Sequence, residues 1–500
     1  MAVPSCTSPH ATLAALLAHR ATAGGHRPAI VFEGESLSYA GLQAQVLLLA
    51  RRLRDTHGVA RGDRVAWLGT NHPMQLVLLF ALARLGAMLL PLNFRLAPAE
   101  WDAQVADCTP ALLVHDAAWA DAARALAARS GMRPIPAGAL AWSPDDAPGD
   151  DAAAGRSDDP ALLVFTSGTT GGPKAAVHTQ SNLLANMAMA AQVQAITPSD
   201  TVLTVLPLFH VGGLCIQTLP ALHAGARVLL HPRFSPDDTL AAIARERPTL
   251  TLQVPATMMA LAEHPQWTAT DVSSLRAVWA GSSLLPAALI EAFHARGLPL
   301  CNVYGATESG PFSIALGPEH ARDHVGSCGW PAPGVAARLE PSRGDAGELL
   351  LRGPNVVQRY WPDRPAVDAE GWFHTGDLAT RAPDGSYTIV GRAKDLIISG
   401  GENVHPAEVE GALATHPAVA ECAAFGVPDA QWGEVVAAAV VLKPGAQADE
   451  AALRAHLEPR LARFKQPRRW LWLDALPKTA LGKVRRAELQ QRAAHPTSPA

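Results

Sequence analysis

The chain carries Thr166-Ser167-Gly168-Thr169-Thr170-Gly171-Gly172-Pro173-Lys174 directly after a short apolar run, Ala161 to Phe165. An apolar run of that length, closed by glycines, reads as a buried strand opening into a loop. Glycines let successive backbone N–H groups converge on an anion. The hydroxyls of Thr166, Ser167, Thr169 and Thr170 add donors and Lys174 adds a positive charge, so the loop suits a polyphosphate. It is not a Walker A loop, because Pro173 stands where Gly-x4-Gly-Lys-Ser/Thr requires the lysine, and a P-loop NTPase is excluded. An ordinary strand-to-helix turn is the alternative that such a composition often marks.

Outward from this loop, apolar runs at Arg64 to Leu68, Ala87 to Leu90, Ala111 to Val114, Thr201 to Leu206, Arg227 to Leu230 and Leu275 to Ala280 alternate with Ala/Leu-rich helical stretches. That alternation predicts an α/β fold built on mostly parallel sheets. Met74 to Leu92 has a single charge, Arg84, and approaches the length of a membrane span. Asn71-His72-Pro73 is nevertheless a helix start, Gly86 a stop, and Ala87 to Leu90 a buried strand, so the run reads as helix plus strand in a core. Ala117 to Ser130 reads as helix and Pro134 to Arg156 as loop.

Past about residue 340 the texture changes. Glu348 to Leu351 and Ser386 to Val390 read as strands of an antiparallel unit, the second entered through the Pro383-Asp384-Gly385 turn. A helix at Pro406 to Thr415, strands at Glu421 to Gly426 and Val435 to Leu442, and a helix at Glu450 to Leu461 then compose a small α+β domain. The expected organisation is a large N-terminal domain, residues 1–391, of stacked parallel-rich α/β subdomains with a small β-barrel-like unit. A mobile α+β domain, residues 392–500, follows it.

The 500 residues allow a large core, and a net charge of −4 gives no general pull toward nucleic acid. Six cysteines lie far apart, without metal-ligand spacing, as suits a reducing compartment. No basic n-region precedes Ala11 to Ala18, so a cytoplasmic protein without an export signal or transmembrane segment is expected. Monomer and homodimer both remain open.

Further motifs stand in fixed order: Pro207-Leu208-Phe209-His210-Val211-Gly212-Gly213, Tyr304-Gly305-Ala306-Thr307-Glu308, Gly371-Trp372-Phe373-His374-Thr375-Gly376-Asp377, Gly391-Arg392-Ala393-Lys394-Asp395 and Pro477-Lys478-Thr479-Ala480-Leu481-Gly482-Lys483. Together with the phosphate loop they closely resemble the adenylate-forming superfamily, in its acyl-CoA synthetase branch, over nearly the whole chain. The resemblance implies a ligase that uses ATP, Mg²⁺ and CoA. A carboxylate attacks the α-phosphate, pyrophosphate leaves, and a thiol then takes the acyl group from the acyl-adenylate.

Each motif also serves ATP chemically. Glu308 offers a hard oxygen to Mg²⁺, Tyr304 a stacking face for adenine, Thr307 a phosphate donor, and Asp377 two acceptors for ribose hydroxyls. Read singly, they would be a surface carboxylate, a core tyrosine, a loop threonine and a helix cap. Gly281-Ser282-Ser283 resembles the loop lining the adenine and acyl sites, and Arg392 joins the nucleotide set. By the same resemblance Lys483 bridges carboxylate and α-phosphate, Lys394 sits at the hinge, and Gly400, Gly401 and Glu402 border the CoA tunnel. Arg460, Arg463, Lys465, Arg468 and Arg469 suit either CoA phosphates or a peripheral membrane contact.

His210, Gly212, Gly213, Met258, Trp279 and Phe312 are the expected acyl pocket, with His210 also a catalytic candidate. No arginine is evident there for a second substrate carboxylate, which argues for an apolar monocarboxylic acid. An elongated channel floored by Gly213 favours a medium or long fatty acid; an aryl carboxylate is the alternative, and a separate carrier protein is an alternative thiol. Two departures from the family stand beyond Lys174: Ala175 in place of glycine and Gln180 in place of histidine.

Overall fold

The computed structural model describes residues 8–140, 154–166, 173–281, 285–341, 346–399, 402–429, 432–479 and 482–494. It divides into two compact units, Met1–Ala337 with Leu351–His374, and Arg338–Leu350 with Thr375–Ala500.

The first unit is built on two large sheets. In one, the strands Pro28–Phe32, Arg227–Leu230, Thr201–Thr204, Leu250–Gln253, Ala277–Gly281 and Leu300–Tyr304 run parallel, in that spatial order. Antiparallel strands close both edges, Glu35–Ser38 on one side and Ile314–Leu316 with Trp330–Pro331 on the other. In the second sheet Pro160–Thr166, Met88–Leu92, Arg64–Leu68, Leu112–His115 and Arg133–Pro136 run parallel, and Lys174–Thr179, Arg359–Tyr360 and Arg364–Pro365 add antiparallel strands. Strands buried on both faces explain the unbroken apolar runs.

The helix Pro73–Leu85 is buried at nearly every position. His72 caps its start, accepting from Met74 N–H through Nδ1, and Gly86 ends it in the left-handed conformation at φ 70°. Among the described residues no helix is long and apolar enough to cross a membrane. Arg133–Pro136, expected as the start of a loop, is an edge strand. Its two prolines hide it in the sequence, yet an edge strand tolerates their missing N–H groups. Cys108, Cys215 and Cys301 are buried thiols outside any disulfide, and burial pushes the Cys108 thiol up to about 12.

In the second unit the strand Gly433–Leu442 lies antiparallel to Val419–Asp429 and parallel to Arg469–Trp472. Val436, Ala438 and Val440 face the helices Pro406–Ala414 and Glu450–Leu457, while Ala437, Ala439 and Val441 face Leu489 of the helix Arg486–Ala494. A period-two apolar strand thus serves helices on both sides. The antiparallel unit is a sheet ordered Ala336–Pro341, Gly347–Arg352, Phe373–Arg381, Tyr387–Arg392. Arg392 ends a strand of that sheet, and the second compact unit includes the strands on both sides of residue 391.

Candidate active site

The phosphate loop joins two antiparallel strands rather than a strand and a helix, with Thr166 paired to Lys174 across its mouth. Ser167, Gly168, Thr169 and Thr170 lie outside the described residues. Ala175, fully buried, is not among the residues with positive φ, so alanine replaces glycine there without strain. Gln180 is fully buried. Its Oε1 accepts from Leu13 N–H at 2.9 Å and its Nε2 donates to Ala83 O at 2.9 Å, fastening two helices to the strand end. Both departures are therefore packing choices.

The acidic motif follows the strand Leu300–Tyr304. A side chain at Gly305 would overlap the Pro311 carbonyl oxygen, so only glycine lets the chain fold back so closely. A short 3-10 turn, Thr307–Ser309, then presents Glu308, 9% exposed. Behind it, Asn355 Nδ2 donates to Ser309 O at 2.5 Å and Ser313 Oγ at 3.1 Å, and Asn186 Oδ1 accepts from Phe312 N–H at 3.1 Å. Both asparagines are buried, and these bonds satisfy main-chain groups that the tight turn leaves unpaired.

Glu308 Oε1 accepts from the Tyr360 hydroxyl at 2.9 Å. The same ring stands under Lys174, whose Nζ is 5.3 Å from its centroid. Burial first, then the Glu308 carboxylate, raise the Tyr360 pKa far above its ordinary value, so the phenol stays a donor. A buried carboxylate is a hard oxygen donor that fits Mg²⁺, and the ammonium held on the same tyrosine fits a polyphosphate. Tyr360 was not among the sequence candidates, because nothing local marks it.

His210 caps the short helix Val211–Gly213, Nδ1 accepting from Gly212 N–H at 3.0 Å, which leaves the ring proton on Nε2. Gly213 lies against backbone. A Cβ there would meet the Pro207 carbonyl oxygen and stand 2.7 Å from that of Leu206, so glycine is required by backbone packing. Met258, Trp279 and Phe312 are fully buried, with the Trp279 and Phe312 rings 5.9 Å apart. At Gly281 a Cβ would be 2.8 Å from Val303 O, and Ser282 and Ser283 lie outside the described residues.

In the second unit Asp377 and Arg392 face each other across paired strands, Nε to Oδ1 at 2.7 Å. Thr375 Oγ1 receives Asp377 N–H at 3.0 Å and donates to Leu349 O at 2.6 Å, which fixes the strand that carries the carboxylate. Lys394 is exposed in the turn Ala393–Asp395, and Glu402 is exposed at the start of Glu402–Val404. Gly400 and Gly401 lie outside the described residues. Lys483 is exposed on a closed loop: its carbonyl accepts from Thr479 N–H at 2.7 Å and its N–H donates to Thr479 Oγ1 at 3.2 Å. Of the basic set, Lys465 pairs with Glu408 at 2.6 Å and Arg468 lies 4.6 Å over the Trp432 ring.

Residues 17–361 match the family model for AMP-binding enzymes and residues 408–483 that for the AMP-binding enzyme C-terminal domain. The chain is 42% identical over 492 residues to the indoleacetate–CoA ligase of Aromatoleum aromaticum, covering 94% of this chain and 96% of that one. It is 42% identical over 483 residues to the feruloyl-CoA synthase of Amycolatopsis sp., covering 95% and 97%. The o-succinylbenzoate CoA synthetase of Bacillus subtilis, solved with its acyl-adenylate intermediate, superposes with a TM-score of 0.85 at 31% identity, over 95% of this chain and 97% of that one. Another structure of that synthetase, with ATP and a magnesium ion, has a TM-score of 0.84 at 30% identity, over 96% and 99%.

Proposed function

Because this chain belongs to the AMP-binding enzyme family, in the acyl-CoA synthetase branch of the adenylate-forming superfamily, we propose that it ligates an aryl or arylalkanoic monocarboxylic acid to CoA. It is an AMP-forming acid–thiol ligase working through an acyl-adenylate, with ATP, Mg²⁺ and CoA. The carrying observation is the convergence of Lys174, Tyr360 and Glu308 at the exit of the phosphate loop.

Lys174 supplies positive charge to the polyphosphate, and Glu308 would hold the metal ion. A magnesium ion bound there neutralises phosphate oxygens as charge builds toward pyrophosphate. Asp377 accepts the ribose hydroxyls, Tyr304 stacks on the base, and Lys483 meets the developing charge between carboxylate and α-phosphate. His210, with its proton on Nε2, donates toward the substrate carboxylate.

The aromatic reading draws its support from the indoleacetate and feruloyl relatives. The fatty-acid expectation ranks second, since the two relatives at 42% identity are named for aromatic acids. A panel of indoleacetate, ferulate, benzoate, octanoate and palmitate, each with ATP and with or without CoA, tests this. Pyrophosphate and AMP should appear with the aryl acids, and thioester only with CoA. Stoichiometric ADP overturns the adenylation reading; preference for palmitate overturns the aromatic one.

A further inference from the structure

Tyr360 belongs to none of the motifs read from the sequence. It sits in the short strand Arg359–Tyr360, opposite Ala176 and so beside the strand that Lys174 begins. The next residue pins it: Trp361 N–H donates to Ala175 O at 2.8 Å, and the Trp361 indole donates to Asp107 O at 3.0 Å. The phenol is therefore delivered to the site on a fixed backbone. Its hydroxyl holds Glu308 Oε1 at 2.9 Å and its ring carries the Lys174 ammonium at 5.3 Å.

Lys174 and Glu308 form no ion pair with each other among the described residues, although one tyrosine touches both. A direct pair would quench the two charges that the ligand needs, the cation for phosphate oxygens and the carboxylate for the metal. An aromatic face attracts an ammonium without neutralising it, and a phenol donor fixes one carboxylate oxygen while leaving the other for a cation. We propose that Tyr360 is a positioning residue that holds Glu308 and Lys174 apart and oriented for a metal-bound nucleoside triphosphate. This deepens the ATP-site reading and rests on it.

The test is binding of MnATP and of metal-free AMP, followed calorimetrically, with Mn²⁺ occupancy read by electron paramagnetic resonance. Tyr360→Phe keeps the ring and removes the hydroxyl, and should weaken MnATP about 10-fold to 100-fold, as outer partners of metal ligands do. AMP affinity, thermal midpoint and thioester formation from supplied acyl-adenylate should not change, while KM for MgATP rises. Tyr360→Leu should also weaken metal-free ATP, because the ammonium loses its platform. Tyr360→Phe that binds MnATP like wild type, or that loses AMP equally, overturns the positioning role. Wild type that binds neither nucleotide overturns the ATP-site reading itself.

Discussion

A methyl group added at Gly213 would stand 2.7 Å from the Leu206 carbonyl oxygen and press on that of Pro207. Main-chain oxygens cannot swing aside as a side-chain tip can, so the cost falls on folding. Gly213→Ala should destabilise by about 1–3 kcal/mol or more, the usual range for overpacking. Activity should fall alike for short, long and aromatic acids. Thermal midpoint and kcat/KM on three such acids check this; an equally stable variant with altered preference would support the channel-floor reading. The glycines, hydroxyls and charges of the motifs were legible because each carries its chemistry in its own side chain. Tyr360, Asn355 and Thr479 were not, because their roles arise from partners distant in sequence or from the shape of a loop.

At the level of elements, the strand Lys174–Thr179 continues from the phosphate loop and is buried through its centre. Its His178 is 0% exposed, and neither ring nitrogen has a hydrogen-bond partner among the described residues. A neutral imidazole there leaves a donor and an acceptor unmet, and burial lowers its pKa from 6.5 to about 4. The folded state thus resists a proton that the unfolded chain accepts. Stability is retained above pH 6.5 and drains away as the pH falls through the window down to about 4. The full loss for one such group is about 3 kcal/mol at most. His178→Leu should be at least as stable as wild type at pH 7.5, and its advantage should widen toward pH 4.5. Urea midpoints at both values measure this, and parallel pH profiles for the two proteins would refute it. The strands Arg64–Leu68 and Arg227–Leu230 were readable as apolar runs, whereas Lys174–Thr179 was not, and the helix Pro73–Leu85 was readable from both of its caps. Antiparallel closure of the loop was not, because pairing partners are not written in a strand's own composition.

Across the molecule, the second compact unit takes in Arg338–Leu350 as well as Thr375–Ala500, because hydrogen-bonded strands gather segments distant in sequence. The residues proposed for phosphate handling, Lys174 and Glu308, fall in the first unit, and Lys483 falls in the second. Lys483 contributes its backbone N–H and carbonyl to the loop closed by Thr479, and alanine preserves both groups. Lys483→Ala should therefore keep these two backbone bonds while it removes the ammonium. If that charge meets the negative charge of the first transition state, acid-dependent pyrophosphate exchange should drop by about 10²–10³, as when one oxyanion donor is lost. Thioester formation from supplied acyl-adenylate needs no charge at the α-phosphate and should survive. Measuring the two half-reactions separately on one variant decides the assignment. A loss shared equally between them would mean that the Lys483 ammonium does not act in adenylation alone, and the role proposed for it would fail.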